Sequence, residues 1–335
     1  ILYYSFLTAD AVNSLDQILQ TIDKEENRRI AGNLGLKADV LWAIRNKIDP
    51  FILGEWDFHI FNINKLSNDK EVEPLQRALT VIGQLSKISA SEVKTPEKIC
   101  DEMIALFPDE FLCNVSENSG RLLDIASKTA EFPLAFYKRM KTLGIDDEKI
   151  KSCLYAIPTS KMTYEFTLKF FRILGLEEDH IASFTSYDLL DVRNKKDEID
   201  YEKITKLLTQ NKPFNQIKLT DEPQEGEKPV KFEAVVGNPP YQSNMISTSD
   251  DQIFYIFMDM AYDISDKCCF ITPGKFLFNA GKTPKAWNNK MLNNPHIKVC
   301  RFERSSENIF PETDVKGGLA ITYMDRAKIF GAIGK

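Results

Sequence analysis

The sequence is poor in the residues that build metal sites and membrane anchors. Among 335 residues there are only three histidines and six cysteines, and no Cys-x-x-Cys pair occurs. A structural zinc site needs clustered thiolate or imidazole ligands, so we expect no metal centre. No apolar run reaches the roughly 18 to 20 residues of a membrane span, and a signal-peptide pattern is missing at the N-terminus. We therefore expect a cytoplasmic protein with reduced, mostly buried thiols and no membrane segment.

An excess of basic residues is also missing. The chain has 43 Lys and Arg residues against 49 Asp and Glu residues, a formal net charge of −6. Such a surface repels phosphate backbones, so any contact with nucleic acid must be local or come from a part outside this sequence. The length predicts two structural units. The first residue is Ile1 rather than Met, which predicts a piece of a longer polypeptide.

Residues 1–88 are predicted to form a helical region. Apolar residues recur at helical spacing over 10–22, 38–48 and 72–85. We find no catalytic pattern there, so a packing or connecting role is the simplest interpretation.

From about residue 95, short apolar runs alternate with helical patterns. Thr95 is a good N-cap and Pro96 fits the first position of a helix. Strands that alternate with helices predict an α/β fold, with a largely parallel sheet and helices on both faces. In such sheets, ligands bind at the carboxyl ends of the strands. The predicted strands are 121–124, 152–157, 184–188, 232–236, 267–271 and 319–323.

The stretch Asn238-Pro239-Pro240-Tyr241 follows one of these strands directly. The residue before a proline is extended, and each proline fixes its φ near about −65°, so the stretch forms a rigid elbow. Prolines have no N–H group, so the elbow offers acceptors and few donors, an arrangement that suits an exocyclic amino group. A plain turn at the end of a strand is the alternative, because Asn-Pro is a common turn dipeptide.

Two acceptors on an aromatic amino group favour its attack on an electrophile. They stabilise the positive charge that develops on the nitrogen, and hydrogen bonds of this kind contribute about 1.5–3 kcal/mol each. Two of them supply several powers of ten in rate. Tyr241 offers a ring face on which a base stacks, and a base in a duplex must first flip out to reach it.

Gly237-Asn238-Pro239-Pro240-Tyr241 resembles the catalytic tetrad of amino-methyltransferases, most specifically N6-adenine DNA methyltransferases of the gamma class from type II (IIG-like) restriction–modification enzymes. The resemblance covers about residues 91–326. It implies a Rossmann-like class I methyltransferase domain over residues 89–335, which transfers a methyl group from S-adenosyl-L-methionine to a flipped adenine in double-stranded DNA. The implied catalytic residues are Asn238, Pro239, Pro240 and Tyr241.

Segments before the tetrad resemble the cofactor-binding parts of these enzymes. Residues 91–106 resemble the helix that covers the methionine end of the cofactor, and residues 122–132 resemble the first strand and its loop, Asp-Pro-x-x-Gly-x-Gly-x-Phe. Asp188, after the third predicted strand, resembles the acid that binds the cofactor adenine. Asp124 or Asp188 alone also fits an ordinary capping or turn acid. The implied cofactor-binding residues are Thr95, Pro96, Asp124, Ile125, Ala126, Phe132, Asp188 and Asn238.

The sequence departs from the family pattern in two places. Lys128 and Ala130 replace the two glycines of the loop, where glycine permits positive φ and a close approach to the cofactor. The second predicted strand lacks the acid that holds the ribose, for which Thr159 or Ser160 is a weak substitute. A second hypothesis is therefore a catalytically weak or inactive DNA-binding or scaffold fragment of a restriction–modification polypeptide. A third is methylation of a protein glutamine amide or of an RNA amino group.

The resemblance also predicts partners. A target-recognition domain follows the last hairpin in this family and is absent here, so we expect further domains of the same polypeptide: target recognition, with a nuclease or helicase as additional candidates. Residues 274–290 contain four lysines, with Phe276, Phe278 and Trp287 between them. This stretch is predicted either to contact phosphates or an extruded base, or to be a solvated loop.

Overall fold

The computed structural model describes residues 1–84, 93–223, 226, 228–242, 252–311 and 313–334. In this part of the chain, six strands form one sheet with the order β2-β1-β3-β4-β6-β5. The strands are β1 (Leu122–Ser127), β2 (Leu154–Pro158), β3 (Ala234–Gly237), β4 (Lys267–Pro273), β5 (Ile297–Glu303) and β6 (Leu319–Asp325).

The sheet is parallel from β2 to β4 and antiparallel at its other edge. β1 pairs in parallel with both β2 and β3, and β3 pairs in parallel with β4, whereas β6 runs antiparallel to β4 and β5. The predicted α/β fold with a largely parallel sheet is confirmed. Because β1 and β3 are parallel neighbours, the loops that follow Ser127 and Gly237 leave the sheet side by side.

Helices cover both faces of the sheet, as predicted. Side chains alternate along a strand, so Val235 and Cys268 enter one apolar cluster while Val236 and Cys269 enter the other. The helices in the described ranges are α1 (Leu2–Leu7), α2 (Leu15–Thr21), α3 (Glu25–Asn33), α4 (Ala38–Arg45), α5 (Pro50–Asn68), α6 (Pro74–Gln84), α7 (Glu97–Ile104), α8 (Asp109–Glu117), α9 (Glu131–Thr142), α10 (Asp147–Lys151), α11 (Lys161–Leu174), α12 (Tyr201–Leu208), α13 (Phe254–Ile264) and α14 (Lys285–Asn293). None of them combines the length and apolar character needed to cross a bilayer.

The N-terminal helices pack against α11. The ring of Phe6 lies 5.8 Å from that of Phe166 and 5.4 Å from that of Phe170. Glu165 accepts a hydrogen bond from Asn33 and pairs with Arg29 at 3.2 Å. The apolar residues of both regions form one continuous cluster, so the helical region has a packing role. The predicted boundary at residues 88 and 89 lies outside the described residues.

Two local predictions are wrong, and one strand was not predicted. Residues 184–188 form a bend, a turn and the start of a 3₁₀ helix rather than a strand. Ser186 lies at the end of β2, where its N–H donates to the Pro158 carbonyl and its hydroxyl to the Ile125 carbonyl, both within 2.8 Å. β5 was not predicted because it is an edge strand with a mixed polar sequence, in which side chains remain half exposed. The helix at residue 95 starts later, with Pro96 as the N-cap, since the Thr95 hydroxyl bonds elsewhere.

A buried lysine at the junction of the two regions predicts a pH-dependent stability. The Lys169 ammonium donates to Asn68 Oδ1 at 2.8 Å and to the Thr8 carbonyl at 3.3 Å, and burial lowers its pKa to about 7. Between about pH 7 and the unfolded pKa of about 10.4, the unfolded chain binds more protons than the folded one. The free energy of unfolding therefore rises with pH in this window.

We expect Lys169→Met to remove this component. Relative to the variant, the free energy of unfolding of the parent rises by up to about 1.4 kcal/mol per pH unit between about pH 7 and 10. Urea unfolding at pH 6, 7, 8 and 9 measures the difference. A parent-minus-variant difference that stays constant across these values contradicts the assignment.

Candidate active site

Three segments meet at the carboxyl ends of β1 and β3. They are the loop after β1, the loop after β3 and the residues that precede α7. Gly237 allows the close approach of the first two, because a Cβ atom there would lie 3.1 Å from Ile125 Cγ2. Four polar side chains from these segments are almost fully buried: Thr95, Lys128, Glu131 and Asn238 are 1%, 4%, 5% and 5% exposed.

Asn238 is held at two points. Its side-chain Nδ2 donates to Thr95 Oγ1 at 3.2 Å, and its backbone carbonyl accepts from Lys128 Nζ at 2.8 Å. Among the described residues, no donor reaches the other amide atom, Oδ1, and Asn238 lines the adjoining cavity. This orientation leaves Oδ1 as the acceptor that the side chain presents.

Glu131 joins the other two segments. Its carboxylate accepts from the backbone N–H groups of Thr95 at 3.3 Å, Lys128 at 3.2 Å and Thr129 at 2.7 Å. Consecutive amides at the start of a helix form a site that favours negative charge, and here an acid of the first turn of α9 fills it. Sequence reasoning missed Glu131, although an acid in the first helical turn is a usable signal.

The loop after β1 follows a path that normally requires glycine. Ala130 has φ 55° and ψ 32°, in the left-handed region, and its side chain is fully buried. A non-glycine residue there is strained by roughly 1–2 kcal/mol. Ala130 therefore adopts a left-handed conformation that favours glycine, while Lys128 places its side chain between the two loops.

Asp124 is buried on β1, and one of its two carboxyl oxygens makes no hydrogen bond to a described residue. Its Oδ1 accepts from the Ala126 N–H at 3.1 Å, whereas Oδ2 is buried and has no partner among the described residues. Burial, and then the nearby charge of Glu131, raise the pKa of Asp124 to about 8. Around neutral pH the carboxyl is therefore largely protonated in the folded protein.

A cavity of about 720 Å³ opens beside Asn238. The tetrad residues Asn238, Pro239, Pro240 and Tyr241 all line it, together with Lys128. The Tyr241 ring packs against both apolar clusters, and its hydroxyl is buried without a partner among the described residues. The wall thus combines carbonyl and amide acceptors with apolar surface.

Sequence reasoning did not single out Phe310 and Val93 as cavity residues. Phe310, which is buried, and Val93 both line the cavity. Their signal was weak, because an isolated aromatic or aliphatic residue next to a turn is ordinary. The structure places them at the site through the turn before β6 and the segment before α7.

The other predicted cofactor-binding residues lie around Asn238 but have no hydrogen bond to it within the described ranges. Ile125 packs beneath Gly237, Phe132 is buried on α9, and Pro96 caps α7. Asp188 is exposed and accepts from the Thr185 N–H at 2.7 Å, as a turn acid does, although its neighbour Tyr187 lines the cavity. The structure therefore leaves Asp188 at the edge of the site.

Thr159 and Ser160, the weak substitutes for the acid that holds the ribose, bond to other residues. Ser160 caps α11 by accepting from the Thr163 N–H at 3.2 Å, and the Thr159 hydroxyl lies 3.1 Å from that of Thr163. Within the described ranges, no group of three or more His, Cys, Asp or Glu residues is placed to hold a metal ion.

Residues 152–310 match the family model of the Eco57I restriction-modification methylase. This range is a little less than half of the chain, and it contains the tetrad and Phe310 but not the loop with Lys128 and Ala130. The family match therefore covers the side of the site that resembles the family, and it stops short of the side that departs from it.

One curated relative and two solved structures are similar to this chain. An uncharacterized adenine-specific methylase of Mycoplasma pneumoniae is 33% identical over 95 residues, which is 27% of this chain and 22% of that protein. The methyltransferase subunit of a type I restriction-modification system from Streptococcus thermophilus superposes with a TM-score of 0.53 at 12% identity, over 94% of this chain and 65% of that one. A DrdV–DNA complex gives 0.55 at 14% identity, over 94% and 36%.

These likenesses establish the fold of the chain. At such low identities the two structures share the arrangement of helices and sheet, including the N-terminal helices that the superpositions span. The chain covers only about a fifth of the curated relative and about two thirds or less of the two solved chains.

The protonated Asp124 predicts a second pH dependence, of opposite sign to that of Lys169. The folded pKa of about 8 exceeds the unfolded value of about 3.9, so the folded chain binds more protons between these values. The contribution of Asp124 to stability therefore falls as pH rises from about 4 to 8. Asp124→Asn removes the titration. We therefore expect the melting temperature of the variant minus that of the parent to increase across this window and to stay constant above it. Equal pH profiles for the two proteins contradict this assignment.

Proposed function

We propose that this chain is the methyl-transferring core of a site-specific, adenine-specific DNA methyltransferase of a restriction–modification system. The observation that carries the proposal is the presentation of Asn238: Thr95 holds its amide nitrogen, and its oxygen remains available at a cavity lined by two prolines. The Eco57I family match over the tetrad and the adenine-specific relative support it. The substrate is adenine in double-stranded DNA, flipped out of the helix.

The residues of the cavity act on the adenine amino group. Asn238 Oδ1 and the Pro239 carbonyl accept its two hydrogens, so the nitrogen lone pair turns away from the ring and the charge that develops on attack is stabilised. The Tyr241 ring and Phe310 supply apolar walls for the base. No covalent enzyme intermediate and no metal are needed.

The cofactor in this proposal is S-adenosyl-L-methionine, which supplies an electrophilic methyl group when bound. The unpartnered buried oxygen of Asp124 fits a ligand that brings a hydrogen-bonding group to this edge of the sheet. Its neighbours in the proposed cofactor site are Thr95, Pro96, Ile125, Ala126, Phe132, Asp188 and Asn238, by their resemblance to the family pattern.

The rim of the cavity carries a cation suited to a DNA phosphate. The aliphatic stem of Lys275 is packed against Gly281 and Gly317, both with positive φ, so the side chain is guided to the cavity that it lines. Beside it, the rings of Phe278 and Phe302 pack edge to face at 5.4 Å, and they are 67% and 39% exposed. This combination of charge and exposed rings supports a contact with DNA.

Within the predicted basic stretch 274–290, we assign the DNA contact to these rim residues. Phe276 and Trp287 are buried, and Lys290 pairs with Asp259 at 2.8 Å. They support the packing and charge balance of the domain, whereas Lys275 and Lys282 both line the cavity.

Several finer assignments belong to the same proposal. We infer a gamma-class enzyme of the type IIG kind, whose target-recognition domain and further domains are supplied by other parts of the same polypeptide. The support for these assignments is the resemblance of Gly237-Asn238-Pro239-Pro240-Tyr241 to the family pattern. Adenine in DNA is a cytoplasmic substrate in bacteria, so we propose that location.

Two observations favour the scaffold alternative. Glu131 fills the amide site at the start of α9, and Ala130 is strained where the family has glycine, so both features oppose the approach of a ligand to this loop. Calorimetric titration with S-adenosylmethionine separates the two functions. Heat that saturates supports the enzyme, and no heat at millimolar cofactor supports the scaffold.

The central prediction concerns Asn238. With tritiated S-adenosylmethionine and unmethylated plasmid DNA, we expect the full-length polypeptide, with its proposed target-recognition domain, to form N6-methyladenine, identified by mass spectrometry of the nucleosides. Asn238→Ala removes an acceptor and lowers the rate by at least about 100-fold. Asn238→Asp keeps an acceptor that Thr95 can also reach, so we expect an intermediate rate. An alanine variant as fast as the parent, or methylation of cytosine instead, would refute the proposal.

A second prediction concerns the rim. Lys275→Met should weaken binding of a duplex of about 30 base pairs by roughly 3- to 10-fold at 0.1 M salt and reduce the salt slope of log K by about 1. Lys290→Met is the matched control, because its ammonium already pairs with Asp259. Fluorescence anisotropy over a salt series measures both. An equal loss in the two variants would assign the effect to net charge and not to the rim.

A further inference from the structure

Lys128 occupies a position at which the resemblance expects glycine, and it uses its side chain to join two loops. The side chain is buried, and its ammonium donates to the Asn238 carbonyl at 2.8 Å. Charged donors form hydrogen bonds that are roughly twice as strong as neutral ones. The loop after β1 is thereby tied to the loop after β3 at the residue on which the proposed function depends.

The bond is part of a closed circuit of four buried residues. Lys128 holds the Asn238 carbonyl, and the Asn238 amide donates to Thr95. The backbone N–H groups of Thr95 and Lys128 both donate to the carboxylate of Glu131. A rotation of Asn238 in either its peptide or its side chain breaks at least one of these bonds.

The Asn238 carbonyl is also the hinge for the rest of the tetrad. It belongs to the peptide unit that ends at the nitrogen of Pro239, and the ring of Pro239 fixes the next dihedral near about −65°. The orientation of that peptide plane therefore passes on to the proline whose own carbonyl is the second acceptor of the proposed reaction.

We propose that Lys128 is a positioning residue for methyl transfer, acting through the Asn238 carbonyl, with Thr95 as its counterpart on the side-chain amide. This inference rests on the proposed function, because positioning has a kinetic meaning only if Asn238 accepts a reacting amino group. Lys128 itself does not bind the base. It replaces the compact glycine loop of the family with a direct tie between the cofactor loop and the tetrad.

A positioning role differs measurably from a role in stability. The loss of water around a buried ammonium offsets much of its hydrogen-bond energy, but its removal leaves the buried Asn238 carbonyl without this donor, which costs about 1–3 kcal/mol. We therefore expect Lys128→Met to melt no more than about 8 °C below the parent and to stay folded at an assay temperature of about 25 °C. In this variant, however, the acceptors on Asn238 and Pro239 are no longer held in place for the amino group. A misplacement of about 1 Å can lower a rate by about 100-fold.

The experiment compares the full chain with Lys128→Met, Thr95→Val, Thr95→Ser and the surface control Lys206→Met on α12. The measurements are kcat and KM for S-adenosylmethionine on plasmid DNA, the melting temperature, and hydrogen exchange of residues 234–242 by mass spectrometry. For Lys128→Met we expect kcat to fall about 10- to 100-fold, with KM changed less than about threefold, and for Thr95→Val we expect a similar fall in kcat. Exchange in this segment should become at least about tenfold faster in both variants. Thr95→Ser, which keeps the hydroxyl, should recover most of the kcat that Thr95→Val loses, and only Lys206→Met is expected to stay within about threefold of the parent.

Each outcome decides the role of Lys128. A Lys128→Met protein with parental kcat and parental exchange overturns the proposal. A fall in kcat that disappears when the variant is assayed further below its melting temperature also overturns it. If the parent transfers no methyl group, the proposed function fails, while exchange still tests the tie: faster exchange in Lys128→Met supports its hold on Asn238, and unchanged exchange overturns it.

Discussion

The parallel pairing of β1 with β3 is the constraint on which the candidate site depends. Asp124 lies opposite Val236 in this pairing, so β1 ends only two residues beyond the end of β3, and the loops that follow the two strands are neighbours at one edge of the sheet. Gly237 keeps their backbones close, because a side chain there would press on Ile125. The residues that carry chemistry are far apart in sequence, and the register of two short strands brings them within hydrogen-bond distance.

Charge balance within this small volume follows from that closeness. One ammonium and two carboxyl groups, those of Lys128, Glu131 and Asp124, are all buried near one another. Glu131 has several backbone donors, while Asp124 has one and keeps a raised pKa. Holding the Asp124 carboxyl neutral avoids a second uncompensated negative charge, since a buried ion without partners is costly. The lysine that replaces glycine therefore belongs to a set of groups whose charges are adjusted together.

Much of the fold could be predicted from local patterns. The apolar runs around β1, β2, β3, β4 and β6 were recognisable because buried parallel strands are continuously apolar. The edge strand β5 was not recognised because several of its side chains are exposed or half buried, and residues 184–188 were wrongly predicted as a strand because their apolar and β-branched residues are held by turn hydrogen bonds instead. Periodicity reports burial, and it does not report which backbone group takes which partner.

The candidate site also contains features that the sequence predicts and features that it does not. The tetrad was recognisable because proline dictates backbone geometry wherever it occurs, so four residues in sequence fix an elbow without help from the fold. The hydrogen bonds of Thr95, Lys128 and Glu131 were not predictable from the sequence. The two that reach Asn238 join segments more than 100 residues apart. Thr95 was expected to cap a helix and to hold a cofactor, and its hydroxyl instead holds the amide of Asn238.

The departures at Lys128 and Ala130 are physically linked. A left-handed alanine is kept only where the surrounding structure fixes the loop, because the chain would otherwise relax into an unstrained conformation. Here the loop is fixed from both sides, by Glu131 on its backbone amides and by Lys128 on the Asn238 carbonyl. A glycine loop is free to adapt its backbone to a ligand, whereas this loop has a single shape set by its own side chains. Its flexibility has been exchanged for a direct hold on the tetrad, so the precision of Asn238 no longer depends on what the loop binds.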